Sequence, residues 1–161
     1  MNLRSKLAAL FSPTRRLTGD EASLVQQGGF LGGQERVVPR AECQYRRLDL
    51  TAMPARQRSA AARLAVSRYE PSPDAATHVA WTGGIAHLWI WATQAPATGR
   101  GEQRWIPETL LAAPPAVDGP RLLAMNPGVE GQLWQSGQLL TSQWWPQSPD
   151  QDAWQRFLRG A

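Results

Sequence analysis

Proline and glycine divide this chain into short segments, and that division constrains the fold more than any other feature. The 161 residues include 13 prolines and 14 glycines. The best helix prediction covers residues 55–69, which are rich in alanine and arginine and lie between Pro54 and Pro71. Within this helix Ala61, Leu64, Ala65 and Arg68 share a face.

Turn signals predict two β-hairpins. Residues 77–81 and 85–91 are rich in β-branched and aromatic side chains, and Thr82-Gly83-Gly84 separates them. Residues 130–135 and 138–145 flank Ser136-Gly137, a pair typical of a two-residue hairpin turn. Further strands are predicted over 35–38, 44–50 and 121–125, and a short helix is predicted to start at Pro107 within the segment 105–111.

The two ends of the chain carry helix signals of different kinds. Residues 1–11 are predicted to form a short amphipathic helix on an apolar stripe of Leu3, Leu7, Leu10 and Phe11. Residues 14–33 are expected to form a loop with a helical turn over 21–26. A final helix is predicted after Pro149-Asp150, with an apolar face of Trp154, Phe157 and Leu158.

These elements predict an α+β fold with a small mixed sheet and flanking helices, and leave an α/β arrangement as the alternative. A length of 161 residues suits one globular domain. We expect this domain to span residues 34–161. Residues 1–33 are then expected to form an N-terminal amphipathic helix and a flexible basic segment.

Charge points to an anionic partner without identifying it. The net charge is +4, and sixteen of the 17 basic residues are arginine. We predict that Arg4, Lys6, Arg15 and Arg16 contact an anionic membrane surface or another anionic partner. The same residues support an alternative function, a nucleic-acid-binding module that uses the arginine-rich N-terminal part.

Residues that carry chemistry are scarce. One cysteine, Cys43, excludes an intramolecular disulfide, and two histidines, His78 and His87, are too few for a stable zinc site. Lys6 is the only lysine and no glycine run precedes it, so a Walker loop is absent. No cofactor, metal or catalytic residue is therefore predicted. A second alternative, a small hydrolase, would use carboxylates from Asp49, Glu108 and Glu130.

Tryptophan is the unusual component, because eight occur in the chain. Neighbours on a strand point to opposite faces, so Trp144 and Trp145 are hard to bury together. Exposed tryptophan is typical of partner-binding surfaces. The predicted partner-binding residues are Trp134, Trp144, Trp145 and Trp154.

Part of the sequence resembles a known family. The segment 50–58, with Thr77-His78-Val79, resembles the cytoplasmic domain of the type II secretion L protein, a group similar to the actin-like pilus assembly M proteins. Segments 106–111 and 137–142 add to a likeness over about 44–145. The resemblance implies a reduced actin-like or ribonuclease-H-like unit, and a scaffold that links an assembly ATPase to an inner-membrane platform.

The leading functional prediction is therefore a non-catalytic adaptor in bacterial envelope secretion or pilus assembly. No apolar run is long enough to span a membrane and no secretory signal is recognisable, so we expect a cytoplasmic protein, at the inner face of the inner membrane if it meets its platform there. The expected partners are proteins bound through a sheet edge or a tryptophan-bearing face. Peripheral membrane contact and nucleic acid are the other partners considered.

Overall fold

The computed structural model describes residues 11–17, 24–29, 31–69, 75–92 and 104–160. Within these ranges ten strands and two α-helices are arranged around three sheets, which confirms the α+β prediction. The helix predicted over 1–11, with Arg4 and Lys6, lies outside the described residues except for Phe11, which is exposed in a turn.

The N-terminal sheet has the strand order β2-β1-β3-β7. Its strands are β1 (Thr14–Leu17), β2 (Leu24–Gln26), β3 (Gln34–Val38) and β7 (Arg104–Pro107). The expectation of a loop with a helical turn was wrong for β1 and β2. Parallel pairing of β1 with β3 satisfies the backbone of both and buries the side chain of Leu17. Such distant pairing leaves no local pattern in the sequence.

This sheet crosses the domain boundary predicted after residue 33, because β1 and β2 lie before that boundary and β3 lies after it. The glycines between them pack against the start of β1. A Cβ on Gly32 would lie 1.7 Å from the backbone oxygen of Ser12, and the Gly29 N–H donates to the same oxygen. The described part of the predicted flexible segment is therefore built into the sheet.

The central sheet has the order β4-β6-β5, from β4 (Gln44–Asp49), β5 (Ala75–Thr82) and β6 (Ile85–Ala92). The predicted hairpin between β5 and β6 is confirmed, with its turn at Gly83-Gly84. Helix α1 (Ala55–Tyr69) has the predicted bounds and covers the outward face of this sheet.

The buried face of α1 centres on Ala62 and not on the face that Ala61, Leu64, Ala65 and Arg68 share. Ala62 is fully buried and Val66 half-buried against Leu88 and its neighbours, whereas Leu64 is 59% exposed. Small side chains make this contact, so no spacing of large apolar residues marks it in the sequence. At the end of the helix, the guanidinium of Arg46 of β4 lies over the ring of Tyr69, at 5.4 Å from its centroid.

The C-terminal sheet has the order β10-β9-β8, from β8 (Gly119–Ala124), β9 (Val129–Gln135) and β10 (Gln138–Trp145). The predicted hairpin is confirmed: Ser136 and Gly137 form its turn at φ 53° and 69°. The carboxylate of Asp118 accepts hydrogen bonds from both turn N–H groups. Helix α2 (Gln151–Arg159) follows, as predicted, and Asp150 caps it by accepting from the Ala153 N–H at 2.7 Å.

The short helix predicted to start at Pro107 is confirmed as a 3₁₀ helix, Glu108–Leu111, with Pro107 at its N-cap. Trp105 and Ile106, which precede it, belong to β7. Pairing with β3 keeps Trp105 and Ile106 extended. The 3₁₀ helix then places the carboxylate of Glu108 where it accepts the backbone N–H groups of Arg40 and Asn126.

A buried ion pair joins the C-terminal sheet to a 3₁₀ helix, Arg40–Glu42, that lies between β3 and β4. Arg40 Nε donates to Glu130 Oε1 at 2.6 Å, and the two side chains are 3% and 0% exposed. The same guanidinium donates to the Cys43 carbonyl and the Ser142 hydroxyl. Thr109 Oγ1 also donates to Glu130 Oε1. Both charges are surrounded by hydrogen bonds, which is the condition under which a buried pair is tolerated.

Candidate partner-binding surface

The two faces of the C-terminal sheet differ in their surroundings. Strand alternation places Glu130, Gln132 and Trp134 on the face that meets the rest of the protein, which we call the inner face. Gly131 and Leu133 point to the other side, the outer face. Register brings Leu122 of β8 beside Gly131 on that outer face. Helix α2 packs there as well.

An aromatic cluster fixes α2 on the outer face. Trp145 of β10 meets Phe157 edge-on, with ring centroids 5.5 Å apart, and Trp154 stacks on Phe157 at 5.2 Å. Gly131 makes this contact possible, because a Cβ at that position would lie 2.6 Å from the Trp145 ring and 2.8 Å from the Trp154 ring. The helix therefore lies directly against the strand backbone.

A shallow groove of about 250 Å³ runs between β10 and the C-terminal half of α2. Trp145 and Phe157 provide an apolar floor, Thr141 and Gln143 add polar groups, and the exposed Arg156 adds a charge. Amide, hydroxyl and guanidinium groups beside an aromatic floor suit a peptide segment better than a small ion.

The β8 half of the outer face is open. Pro120, Leu122 and Ala124 all point outward and are exposed, and Leu122 is 46% exposed. No strand among the described residues pairs with the far side of β8, which makes it an edge strand of the described sheet. A proline at the start of β8 blocks one backbone donor there but leaves the rest of the edge open. An apolar edge strand of this kind is a template for a partner strand.

The predicted tryptophans lie on both faces of this sheet, and each of the four is half-buried. Trp145 and Trp154 belong to the outer cluster, beside the groove. Trp144 points to the inner face, as the alternation predicted, and its Nε1 donates to the Pro127 carbonyl. Trp134 donates to Gln132 Oε1 and lies under the guanidinium of Arg121. Their role in binding a partner stays a prediction, and the open residue beside them, Leu122, was missed.

Of the four residues predicted to contact an anionic partner, Arg15 and Arg16 lie in the described part of the chain. Arg15 donates to Glu35 Oε2 at 2.9 Å and to Gln26, so its charge is used within the N-terminal sheet. Arg16 is half-buried and has an internal partner. These arginines consequently offer less free charge than the sequence suggested. Among the described residues, no helix is long and apolar enough to cross a membrane.

The three carboxylates of the hydrolase alternative do not converge. Glu108 and Glu130 both lie beside Arg40, and each is held by hydrogen bonds. Asp49 is exposed at the end of β4, where it accepts from the N–H and hydroxyl of Thr51. Those two hydrogen bonds hold the pKa of Asp49 below its usual value. The carboxylate of Glu130 is completely shielded from solvent.

His78 and His87 lie on the same face of the central sheet, at diagonal positions on β5 and β6. Tyr45 hydroxyl and His87 Nδ1 are 2.8 Å apart. Burial lowers the pKa of both histidines, and the nearby charge of Arg47 adds to the effect at His87. Over the described residues no group of three metal-ligating side chains forms.

Cys43 is buried next to Arg40, and burial raises the pKa of its thiol to about 12. A thiol in that state is a poor nucleophile, since the thiolate is the reactive form. The structure thus places Cys43 in the core, together with Tyr45 and Trp91.

Comparisons with protein-family models, with curated proteins and with solved structures found no match for this chain. The resemblance to the secretion and pilus families therefore stays a prediction from short motifs. Among the described residues, the outer face of the C-terminal sheet is the most distinctive surface.

Proposed function

We propose that this chain is a non-catalytic adaptor that binds a protein partner through the outer face of its C-terminal sheet. The observation that carries the proposal is the edge strand β8, whose exposed residues Pro120, Leu122 and Ala124 are all apolar. Ordinary edge strands are protected by charge or cover. This one presents an apolar side chain every second residue, on the same sheet face as the aromatic cluster that holds α2.

In this proposal the partner adds a strand to β8 and packs side chains on the outer face. Backbone hydrogen bonds along the edge provide affinity, and contacts with Leu122 and Leu133 provide specificity. The cluster of Trp145, Trp154 and Phe157 keeps α2 in place before the partner arrives. A surface that is already ordered loses less conformational entropy on binding.

The setting that we propose is bacterial envelope secretion or pilus assembly. It is supported by the resemblance of the sequence to the cytoplasmic part of the type II secretion L protein. The proposed partners are accordingly an assembly ATPase or an inner-membrane platform protein, met at the cytoplasmic side of the inner membrane. Short motifs are the support for this setting, whereas the β8 edge supports protein binding in any setting.

The two alternative functions have weaker geometric support. A nucleic-acid module that uses the N-terminal part needs free cations there, yet Arg15 is paired with Glu35. A hydrolase needs a carboxylate that a substrate can reach, yet Glu130 is buried against Arg40. The first alternative predicts binding that weakens steeply with salt, and the second predicts turnover of a substrate near Glu108.

Photo-crosslinking tests the proposed surface directly. A photo-reactive phenylalanine analogue replaces Leu122 in cells that express the chain naturally, and adducts are identified by mass spectrometry. We expect adducts with a platform protein or an assembly ATPase. The matched control replaces Val117, an apolar residue that is 80% exposed but lies outside the strands. Absence of protein adducts at position 122, or equal adducts at both positions, would contradict the proposal.

A further inference from the structure

Helix α1 carries an unbalanced charge. Its fifteen residues include Arg56, Arg58, Arg63 and Arg68 and contain no acidic residue. Arg58 is used internally, because it donates to the carbonyls of Met53 and Thr51. The other three are exposed, and none of them has an ion pair or side-chain hydrogen bond with the described residues. Within the described part of the chain, three positive charges therefore project from one helix without an ion-pair partner.

The solvent side of α1 has an ordered pattern. Arg56, Ala60, Arg63, Leu64 and Ser67 are all exposed, and they recur at i, i+4, i+7, i+8 and i+11. That spacing places them on one side of the helix, opposite the buried Ala62. Small side chains lie along the centre of this face, Leu64 projects beside them, and arginines flank them.

We infer that this face of α1 binds an acidic amphipathic helix of a partner protein. Ala60 and Ser67 are separated by two turns and allow the backbone of a second helix to come close. Leu64, at 59% exposure, supplies the apolar contact. Glutamate or aspartate on the flanks of the partner helix would neutralise Arg56, Arg63 and Arg68.

A partner helix would also compensate for a weakness of α1. Helices in proteins are stabilised mainly by packing an apolar face, and α1 buries only Ala62 fully. Its arginines repel one another, since no acidic residue lies between them. An acidic helix would remove that repulsion and cover the exposed side of Leu64.

Other anionic partners fit this face less well. Helices that lie on membranes insert several large apolar or aromatic side chains, and here Leu64 is the single large apolar residue on the face. Single-stranded nucleic acid is bound by cations together with aromatic rings that stack on bases. This face has no aromatic residue, and its centre is aliphatic.

The inference rests on the proposed adaptor function, because an adaptor needs a second surface. Helix α1 packs on the central sheet, whereas β8 lies in the C-terminal sheet. The two surfaces can therefore be changed separately. Variant Leu122→Glu should lose partner binding at β8 and keep binding at α1. Reversal of the α1 charges should have the opposite result, so failure of one proposal is distinguishable from failure of the other.

The test is a charge exchange measured by fluorescence anisotropy with the full chain. The probe is a synthetic helical peptide with leucine and alanine along one face and glutamate on both flanks. We expect the triple variant Arg56→Glu, Arg63→Glu, Arg68→Glu to bind this probe at least about tenfold more weakly than wild type. A second probe with lysine in place of glutamate should bind the triple variant and not the wild type.

Two single variants provide the matched control. Arg63→Glu and Arg159→Glu each reverse one exposed arginine on a helix, so they change the net charge equally. Only the first should weaken binding of the glutamate probe. Equal loss for both variants, or a failure of the lysine probe to prefer the triple variant, would overturn the inference. So would tighter binding of anionic lipid vesicles or single-stranded DNA through the same three arginines.

Discussion

The two helices rest on their sheets in opposite ways. Helix α2 has nine residues and is held on the C-terminal sheet by Phe157, Trp154 and Trp145. Helix α1 has fifteen residues but meets the central sheet mainly through Ala62 and Val66. The shorter helix is thus fixed by large aromatic contacts, whereas the longer one is fixed by small aliphatic contacts.

This difference separates structural aromatic residues from candidate binding residues. The tryptophans near α2 are held by contacts within the chain, and the exposed groups lie beside them, at Leu122 and Arg156. On α1 the exposed groups are on the helix itself. The tryptophans therefore mark where side chains pack within the chain. The exposed side chains mark where a partner can bind.

Removal of the Glu130 carboxylate, which joins the C-terminal sheet to the segment before β4, should have the largest effect on stability. Glu130→Ala leaves the guanidinium of Arg40 buried at 3% exposure without its carboxylate. Loss of one partner from a buried pair costs about 3–5 kcal/mol of the free energy of unfolding. Urea denaturation of wild type and variant measures this loss. A change below about 1 kcal/mol would mean that the Arg40–Glu130 pair does not hold the C-terminal sheet to this segment.

A matched pair of truncations compares the two helices directly. Phe157→Ala removes a side chain that is 6% exposed, and Leu64→Ala removes one that is 59% exposed. We expect the first to lower the free energy of unfolding by about 3 kcal/mol and the second by less than about 0.5 kcal/mol. Chemical denaturation of both variants provides the values. Comparable losses would show that α1 buries more than its small contacts indicate.

The smallest expected effect concerns pH and the interior of the central sheet. Burial lowers the pKa of His87 in the folded state, so the unfolded chain binds its proton more readily. The contribution of His87 to stability is complete above its unfolded pKa of about 6.5 and is lost as the pH falls below that value. The variant His87→Gln should reduce this dependence. Urea midpoints of both proteins are measured between about pH 7 and 5. An equally large change of midpoint with pH in wild type and variant would contradict this prediction.

Elements with local signals were predictable from the sequence. The turns at Gly83-Gly84 and Ser136-Gly137 located both hairpins, and Asp150 located the start of α2. Prolines on either side located α1. In each case the signal lies within or beside the element, because turn geometry and helix capping depend on a few adjacent residues.

Features that depend on distant residues were not predictable. Strand β1 pairs with β3 about twenty residues away, and the Arg40–Glu130 pair joins positions 90 residues apart. The sequence also could not show that β8 is an edge strand, so Leu122 was not selected as a binding residue. Hydrophobic patterns indicate which side chains are apolar, whereas strand order decides which of them remain exposed.

The salt dependence of partner binding at β8 tests the central claim most directly. With the protein identified by crosslinking at position 122, we expect the affinity of wild type to change less than about threefold between about 0.1 and 0.3 M salt, because the contact is mainly apolar. Leu122→Glu should weaken binding at least about tenfold, and Val117→Glu should leave it unchanged. A steep loss of affinity with salt, or equal affinities for the two variants, would contradict binding through the outer face of the C-terminal sheet.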